Sequence, residues 1–318
     1  MSFNLDIPKQ ISIPIQADEN GFTGRECPQK ECEGYFKVKF GTGLKGENLP
    51  CHCPYCGHMA QHDQFYTKEQ IKYAESVAMR EITQAFHREL KKLEFNHPAR
   101  GPLGIGISMK VKPGAPIPLK HYREKRLETE ITCDQCTLQY AIYGVFAYCP
   151  DCGAHNSPQI LSKNMELAIK ELDLAMQIES SDLKQHLIDD SLENVVSAFD
   201  GFGREIVRVN AHKATAPDKA EYISFQNLEN ARKNLQALFS FDLASSVDIK
   251  DWELAIRCFS KRHLLAHKMG VVDQKYIGDT NDTSATIGRR IKITEDEVHS
   301  LVLVVQTLGK YLAKEVSK

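Results

Sequence analysis

Four close cysteine pairs constrain this chain more than any other feature. Of its ten cysteines, Cys27 and Cys32 open one set that Cys53-Pro54-Tyr55-Cys56-Gly57 closes. Cys133 and Cys136 open a second set, closed by Cys149-Pro150-Asp151-Cys152-Gly153. A Cys-Pro-x-Cys-Gly turn suits a metal knuckle: proline presets the turn, and glycine accepts a positive φ so that backbone N–H groups approach the thiolates. Two facing knuckles supply four thiolates, a closed tetrahedral shell for Zn2+. The expectation is two structural zinc ions, on Cys27, Cys32, Cys53 and Cys56 and on Cys133, Cys136, Cys149 and Cys152. No catalytic metal is expected, since four thiolates leave no open position for water. Cys51 lies two residues before Cys53 and reads as a bystander, with a ligand exchange between the two left open.

Disulfides are the competing use of cysteine. The start, Met1-Ser2-Phe3-Asn4-Leu5-Asp6, has no basic segment leading into an apolar one, so the expectation is a reducing, cytoplasmic setting. No apolar run approaches the length of a membrane helix, and no membrane partner is expected. Over 318 residues, 42% are hydrophobic and the net charge is −2. Those values exclude wholesale disorder and a globally basic nucleic-acid coat.

The two sets read as an internal repeat of zinc ribbons. In the second, Tyr140, Ile142, Tyr143, Val145, Phe146 and Tyr148 suggest two short antiparallel strands between the knuckles. The first carries Tyr35, Phe36, Val38 and Phe40 ahead of Gly41, Gly43 and Gly46. Between the ribbons, Thr67 and Gln70 form a capping-box signature for a helix to about residue 94. Its apolar positions include Ile71, Ala78, Ile82, Phe86 and Leu90. Residues 97–126 then hold five of the thirteen prolines and seven cations, Arg100, Lys110, Lys112, Lys120, Arg123, Lys125 and Arg126, against the single acid Glu124. A short strand fits residues 104–112, and the basic stretch is a candidate for contacting nucleic-acid phosphates. A solvated loop is the plainer reading.

From residue 161 onward helical periodicity takes over. Helices are predicted over 164–178, 182–209, 224–239, from an Asp248 N-cap to Gly270, and over 294–316. Gly201 and Gly203 interrupt the second, suggesting a kink or a close contact. The fold class is therefore α+β and multidomain: a ribbon at 1–66, a helix and basic connector at 67–126, a second ribbon at 127–160 and a helical bundle at 161–318.

The fourth of these helices closes on Lys261-Arg262-His263-Leu264-Leu265-Ala266-His267-Lys268. His263 and His267 are four apart and share a face. Arg262 and His267 are five apart, about 140° around the helix. They converge only if the arginine reaches around, if the helix end is distorted, or if a second subunit completes the site. Cations complementing a helix C-terminus are the bland alternative.

Arg262-His263-Leu264-Leu265-Ala266-His267 resembles the R-x(4–6)-H motif of HEPN domains. Gly270-Val271-Val272-Asp273, Tyr276-Ile277 and Gly288-Arg289-Arg290-Ile291-Lys292-Ile293 are similar to segments that follow it in bacterial HEPN proteins. The resemblance spans roughly residues 182–317 and leaves the ribbons unexplained. It implies an all-α bundle acting as a metal-independent endoribonuclease of toxin or anti-phage defence type, working as a homodimer on an RNA substrate. His267 would be the acid or base, Arg262 would hold phosphate oxygens and His263 would assist. Asp200 or Glu205 is a candidate for orienting an imidazole. The ribbons would be structural or would recognise RNA or a DNA or protein trigger, and an antitoxin or other regulatory partner is compatible with this scheme. The alternative is a non-catalytic nucleic-acid- or protein-binding adaptor. A zinc hydrolase or deaminase is disfavoured, because the cysteines pair into closed sets.

Overall fold

The computed structural model describes residues 10–46, 49–98, 107–127 and 129–318. The chain is α+β and divides into two compact units, Met1–Ala154 and His155–Lys318.

In the N-terminal unit, β1 (Thr23–Glu26) and β2 (Tyr35–Val38) flank the first knuckle. β3 (Pro50–His52) and β4 (Met59–Gln61) flank the second. β7 (Thr129–Thr132) and β8 (Gln139–Ile142) flank the third. Each of these knuckles is thus itself a hairpin turn. This corrects the expectation of two strands between the knuckles of the second ribbon: only β8 lies there, and it pairs back on β7. Tyr143 and Val145 are exposed instead.

The two ribbons share one antiparallel sheet in the order β1-β2-β8-β7. The seam is β2 against β8, with Lys37 opposite Ala141 and Val38 opposite Tyr140. Beneath it Phe36, Phe65, Leu138, Tyr140 and Ile142 form a small core with the cysteines.

α1 (Lys68–Lys91) begins with the expected capping box, Thr67 accepting from Gln70 N–H and Gln70 from Thr67 N–H. Gln70 also donates to Gly24 O and Glu124, tying the helix start to the sheet. Among the described residues its apolar face is covered at Ala85, while Ile71, Met79, Ile82 and Phe86 are exposed. The predicted strand at 104–112 is present as β6 (Ile107–Met109), paired with β5 (Phe95–His97); residues 104–106 lie outside the described residues.

The C-terminal unit is helical. α2 (Ser157–Met176) starts earlier than its periodicity suggests, with a proline in its first turn. α3 (Ser181–Val209), α4 (Pro217–Ala220), α5 (Leu228–Phe239), α6 (Ile249–Lys268), α7 (Gln274–Thr280) and α8 (Glu295–Val316) follow. α2, α3, α6 and α8 enclose one core, in which Phe199 packs against Phe202, Phe225 and Phe259 with ring centroids 5.8–6.3 Å apart. Gly203 serves a close contact: a Cβ there would meet the Phe225 ring at 2.5 Å.

Candidate functional site

The structure brings each predicted set of cysteines together. Cys27, Cys32, Cys53 and Cys56 form one group and Cys133, Cys136, Cys149 and Cys152 the other, with all sulfurs of a group within 4.8 Å, and each group could hold a metal ion. Cys51 stays outside, its buried thiol directed at His52 O.

Three knuckles share one hydrogen-bond pattern. Cys53, Cys133 and Cys149 each donate N–H to the carbonyl five residues on (His58, Leu138, Ala154) and accept from the N–H four residues on. The residue that donates is in the left-handed region in every case: Gly57, Thr137 and Gly153. In the looser first pair Gln29 occupies the place of the leading cysteine, accepting from Glu33 N–H, and Cys27 reaches the cluster from two residues earlier.

Burial pushes the Cys27 thiol up to about 12 and that of Cys136 to about 11, and raises Cys53 and Cys149 as well. Burial acts the same way on Cys56 and Cys133, but hydrogen bonds from His58 and Cys136 N–H groups outweigh it and hold both below the ordinary value. Four thiolates packed this closely repel one another, and a bound cation would offset that repulsion.

The two clusters are joined through main chain. His52 N–H donates to Pro150 O and Tyr148 N–H to Pro54 O, both at 2.8 Å. His52 packs on Gly153 and Tyr148 on Gly57, so the two halves reciprocate.

The basic connector is exposed at Lys110, Lys112, Lys120, Arg123, Lys125 and Arg126; Arg100 lies outside the described residues. Its backbone is held in place. Lys120 N–H donates to Ser76, Lys125 N–H donates to the Tyr35 hydroxyl, and the Lys125 ammonium lies 4.9 Å from the Tyr35 ring centroid.

In the helical unit, α6 carries Arg262, His263 and His267 on its last turns, and Met269 and Gly270 end it in left-handed conformation. The two imidazoles are brought together, ring centroids 4.8 Å apart, and both residues are exposed. His263 lines a cleft of about 620 Å³ between α5, α6 and α7, beside Asn230, Lys233, Ser260, Lys275 and Tyr276. Partial burial, then the charges of His267, Lys275 and Lys268, hold the His263 imidazole below its ordinary pKa. Arg262 and His267 do not line this cleft. Arg262 is half-buried, and its Nε is buried without a hydrogen-bond partner.

The suggested orienting carboxylates serve elsewhere. Buried Asp200 accepts from Arg204 Nε and from Phe225 N–H at 2.6 Å, fixing the turn before α5. Glu205 does meet an imidazole, but that of His155 at 3.3 Å, and it also accepts from Arg208.

The cleft is the feature that sequence reasoning missed. Its wall gathers residues of three helices, and only the two-histidine spacing on α6 pointed to it. No known family model matches the chain, no curated protein matches it, and no solved structure does. Fold and site define a two-unit α+β protein with twin four-cysteine centres and a polar, imidazole-lined cleft in a helical unit.

Proposed function

We propose that the protein is a metal-independent endoribonuclease of toxin or anti-phage defence type, built from a zinc-stapled ribbon unit and a HEPN-type helical unit. The observation that carries this reading is the His263–His267 pair, two accessible imidazoles 4.8 Å apart beside a polar cleft. Strand cleavage needs a proton acceptor for the 2′-OH and a proton donor for the departing 5′ oxygen. The 2′ oxygen attacks phosphorus, the P–O5′ bond breaks, and a 2′,3′-cyclic phosphate and a 5′-OH result. Partial burial, then the neighbouring cations, favour neutral His263, which suits it as base; His267 on the same face would take the other proton-transfer role. Arg262 would bind phosphate oxygens through its planar fork. Its place on another face of α6 favours a homodimer in which one copy's arginine serves the other's imidazoles.

Zinc is the proposed occupant of the cysteine groups. A tetrahedral shell with Zn–S bonds of about 2.3 Å has edges of about 3.8 Å. The opposed sulfurs Cys27–Cys56, Cys32–Cys53 and Cys133–Cys152 are 3.7 Å apart, and Cys136–Cys149 3.4 Å. These ions would hold the ribbons and take no part in cleavage.

The adaptor reading is favoured by one observation, the buried and unpartnered Nε of Arg262, which points to a packing role. Cleavage of a panel of RNAs by wild type and His267→Ala separates the two. Loss of cleavage in the variant supports the nuclease; RNA binding without cleavage by either protein supports the adaptor.

A further inference from the structure

The ribbon unit carries a second groove that neither the metal centres nor the imidazole pair explain. It encloses about 780 Å³ and is lined by Lys39, Phe40, Lys45, His62 and Tyr66 among others. Phe40 is 56% exposed and Tyr66 40% exposed, although each belongs to a firmly held segment. Phe40 follows β2 in a loop tied down by three bonds: Thr42 Oγ1 to Lys39 O at 2.6 Å, Gln139 N–H to Thr42 Oγ1 at 3.0 Å, and Leu44 N–H to Asp151 at 2.9 Å. Tyr66 directly precedes the Thr67 cap of α1.

Both rings lie against the guanidinium of Arg25, whose Cζ is 4.9 Å from the Phe40 centroid and 5.0 Å from that of Tyr66. Arg25 is almost fully buried. Its Nη1 donates to Gly24 O, its Nε has no hydrogen-bond partner, and two aromatic rings flank the guanidinium, with the Glu124 carboxylate near enough to act on its charge. Nδ1 of His62 in the groove wall is likewise buried and unpartnered. The wall also holds two acids, Asp63 and Asp151, the latter accepting from Leu44 N–H.

We infer that this groove grips a single-stranded nucleic acid, with bases stacked on Phe40 and Tyr66 and the backbone passing Lys39 and Lys45. A flat ring fixed from behind by a cation loses little freedom when a base lands on its open face. Lys39 and Lys45 at the groove supply positive charge for a phosphate backbone. Two exposed rings with flanking lysines at a groove suit successive bases.

The test uses the full-length zinc-loaded protein and a fluorescently labelled fifteen-nucleotide oligo-dT, which has no 2′-OH. Binding here is therefore independent of the ribonuclease reading. Wild type is expected to bind with an affinity that falls as salt rises. Phe40→Ala and Tyr66→Ala are each expected to weaken binding by about tenfold, the loss of one stacked base, at unchanged zinc content. Phe40→Trp keeps a ring, so it should retain binding, and its added indole fluorescence should be quenched by unlabelled oligonucleotide. The inference is overturned if wild type binds neither oligo-dT nor oligo-U at low salt. It is equally overturned if both alanine variants bind like wild type, or if the indole emission of the Phe40→Trp protein is unmoved while binding persists.

Discussion

The imidazole of His52 lies against Gly153, its Cε1 3.0 Å from the point a Cβ would occupy. Gly153 also holds a φ of +70° as the closing residue of the Cys149 knuckle. Gly153→Ala therefore meets a steric and a conformational penalty together, about 1–2 kcal/mol from the backbone alone. The expected outcome is a lower melting temperature for the ribbon unit. Gly114→Ala, where a Cβ meets nothing within 4 Å, should leave it unchanged.

The paired bonds between His52 and Pro150 and between Tyr148 and Pro54 couple the two cysteine groups. Cys149→Ser should cost more than its own zinc. Wild type is expected to carry about two ions per chain, one per four-thiolate shell. The variant should retain about one, and should yield that remaining ion to a chelator faster than wild type does. Elemental analysis and timed chelation read both quantities. Equal release rates would show that the two groups act independently.

His267 is exposed on the last turn of α6, so His267→Ala should change stability by no more than about 0.5 kcal/mol. Removal of a general acid or base is expected to slow RNA cleavage by about 10²–10⁴-fold. The products, a cyclic phosphate and a 5′-OH, are identified by end-labelling. A folded variant that cleaves at the wild-type rate would remove His267 from the chemistry.

Glu205 gives the helical unit an acid limit. Burial alone would raise its carboxyl, but hydrogen bonds from His155 and Arg208 prevail and bring it down to about 2. A carboxylate depressed in the folded state adds stability above its unfolded pKa of about 4.3. That contribution is lost as pH falls through the folded value, a window of about pH 5 to pH 2. Denaturant unfolding across it should show a loss of about 2 kcal/mol from this group. Glu205→Gln should be less stable at pH 7 and flatter across the window.

Asp200 holds the turn that leads into α5 by accepting from Phe225 N–H at 2.6 Å and from Arg204. Asp200→Ala leaves a buried N–H unsatisfied and releases the ring that packs on Phe199 and Gly203. A loss of about 2–4 kcal/mol in urea unfolding is expected. The floor of the cleft beside His263 should loosen with it, read as faster amide exchange at Leu228 to Asn230.

Local signals reached the surface of the sequence, and long-range ones did not. The cysteine spacing showed both four-cysteine groups, and the caps at Thr67 and Asp248 fixed where α1 and α6 begin. α5 starts at Leu228 rather than at Ser224 because Asp200 on another helix takes the Phe225 N–H and Asn227 caps the helix instead. α7 spans only seven residues, too few for a periodic pattern. The β2–β8 seam rests on two facing residue pairs far apart in the chain, and nothing in their side chains announces it. At the site, spacing alone put His263 beside His267, whereas the cleft depends on Lys233 and Lys275 arriving from other helices.

The bonds at His52 and Tyr148 that weld the ribbons together are drawn from peptide groups, which every amino acid carries alike. The middle of each Cys-Pro-x-Cys turn adds a side-chain link to the opposite ribbon, Tyr55 accepting from Tyr143 N–H and Asp151 from Leu44 N–H, and the two residues are otherwise unlike. Tyr55 sends its hydroxyl to the carbonyl of Tyr35, while Asp151 at the equivalent place offers its carboxylate to Leu44 N–H. A matched frame thus supports an unmatched exterior, with an aromatic strut on one side and an anionic anchor for the Phe40 loop on the other.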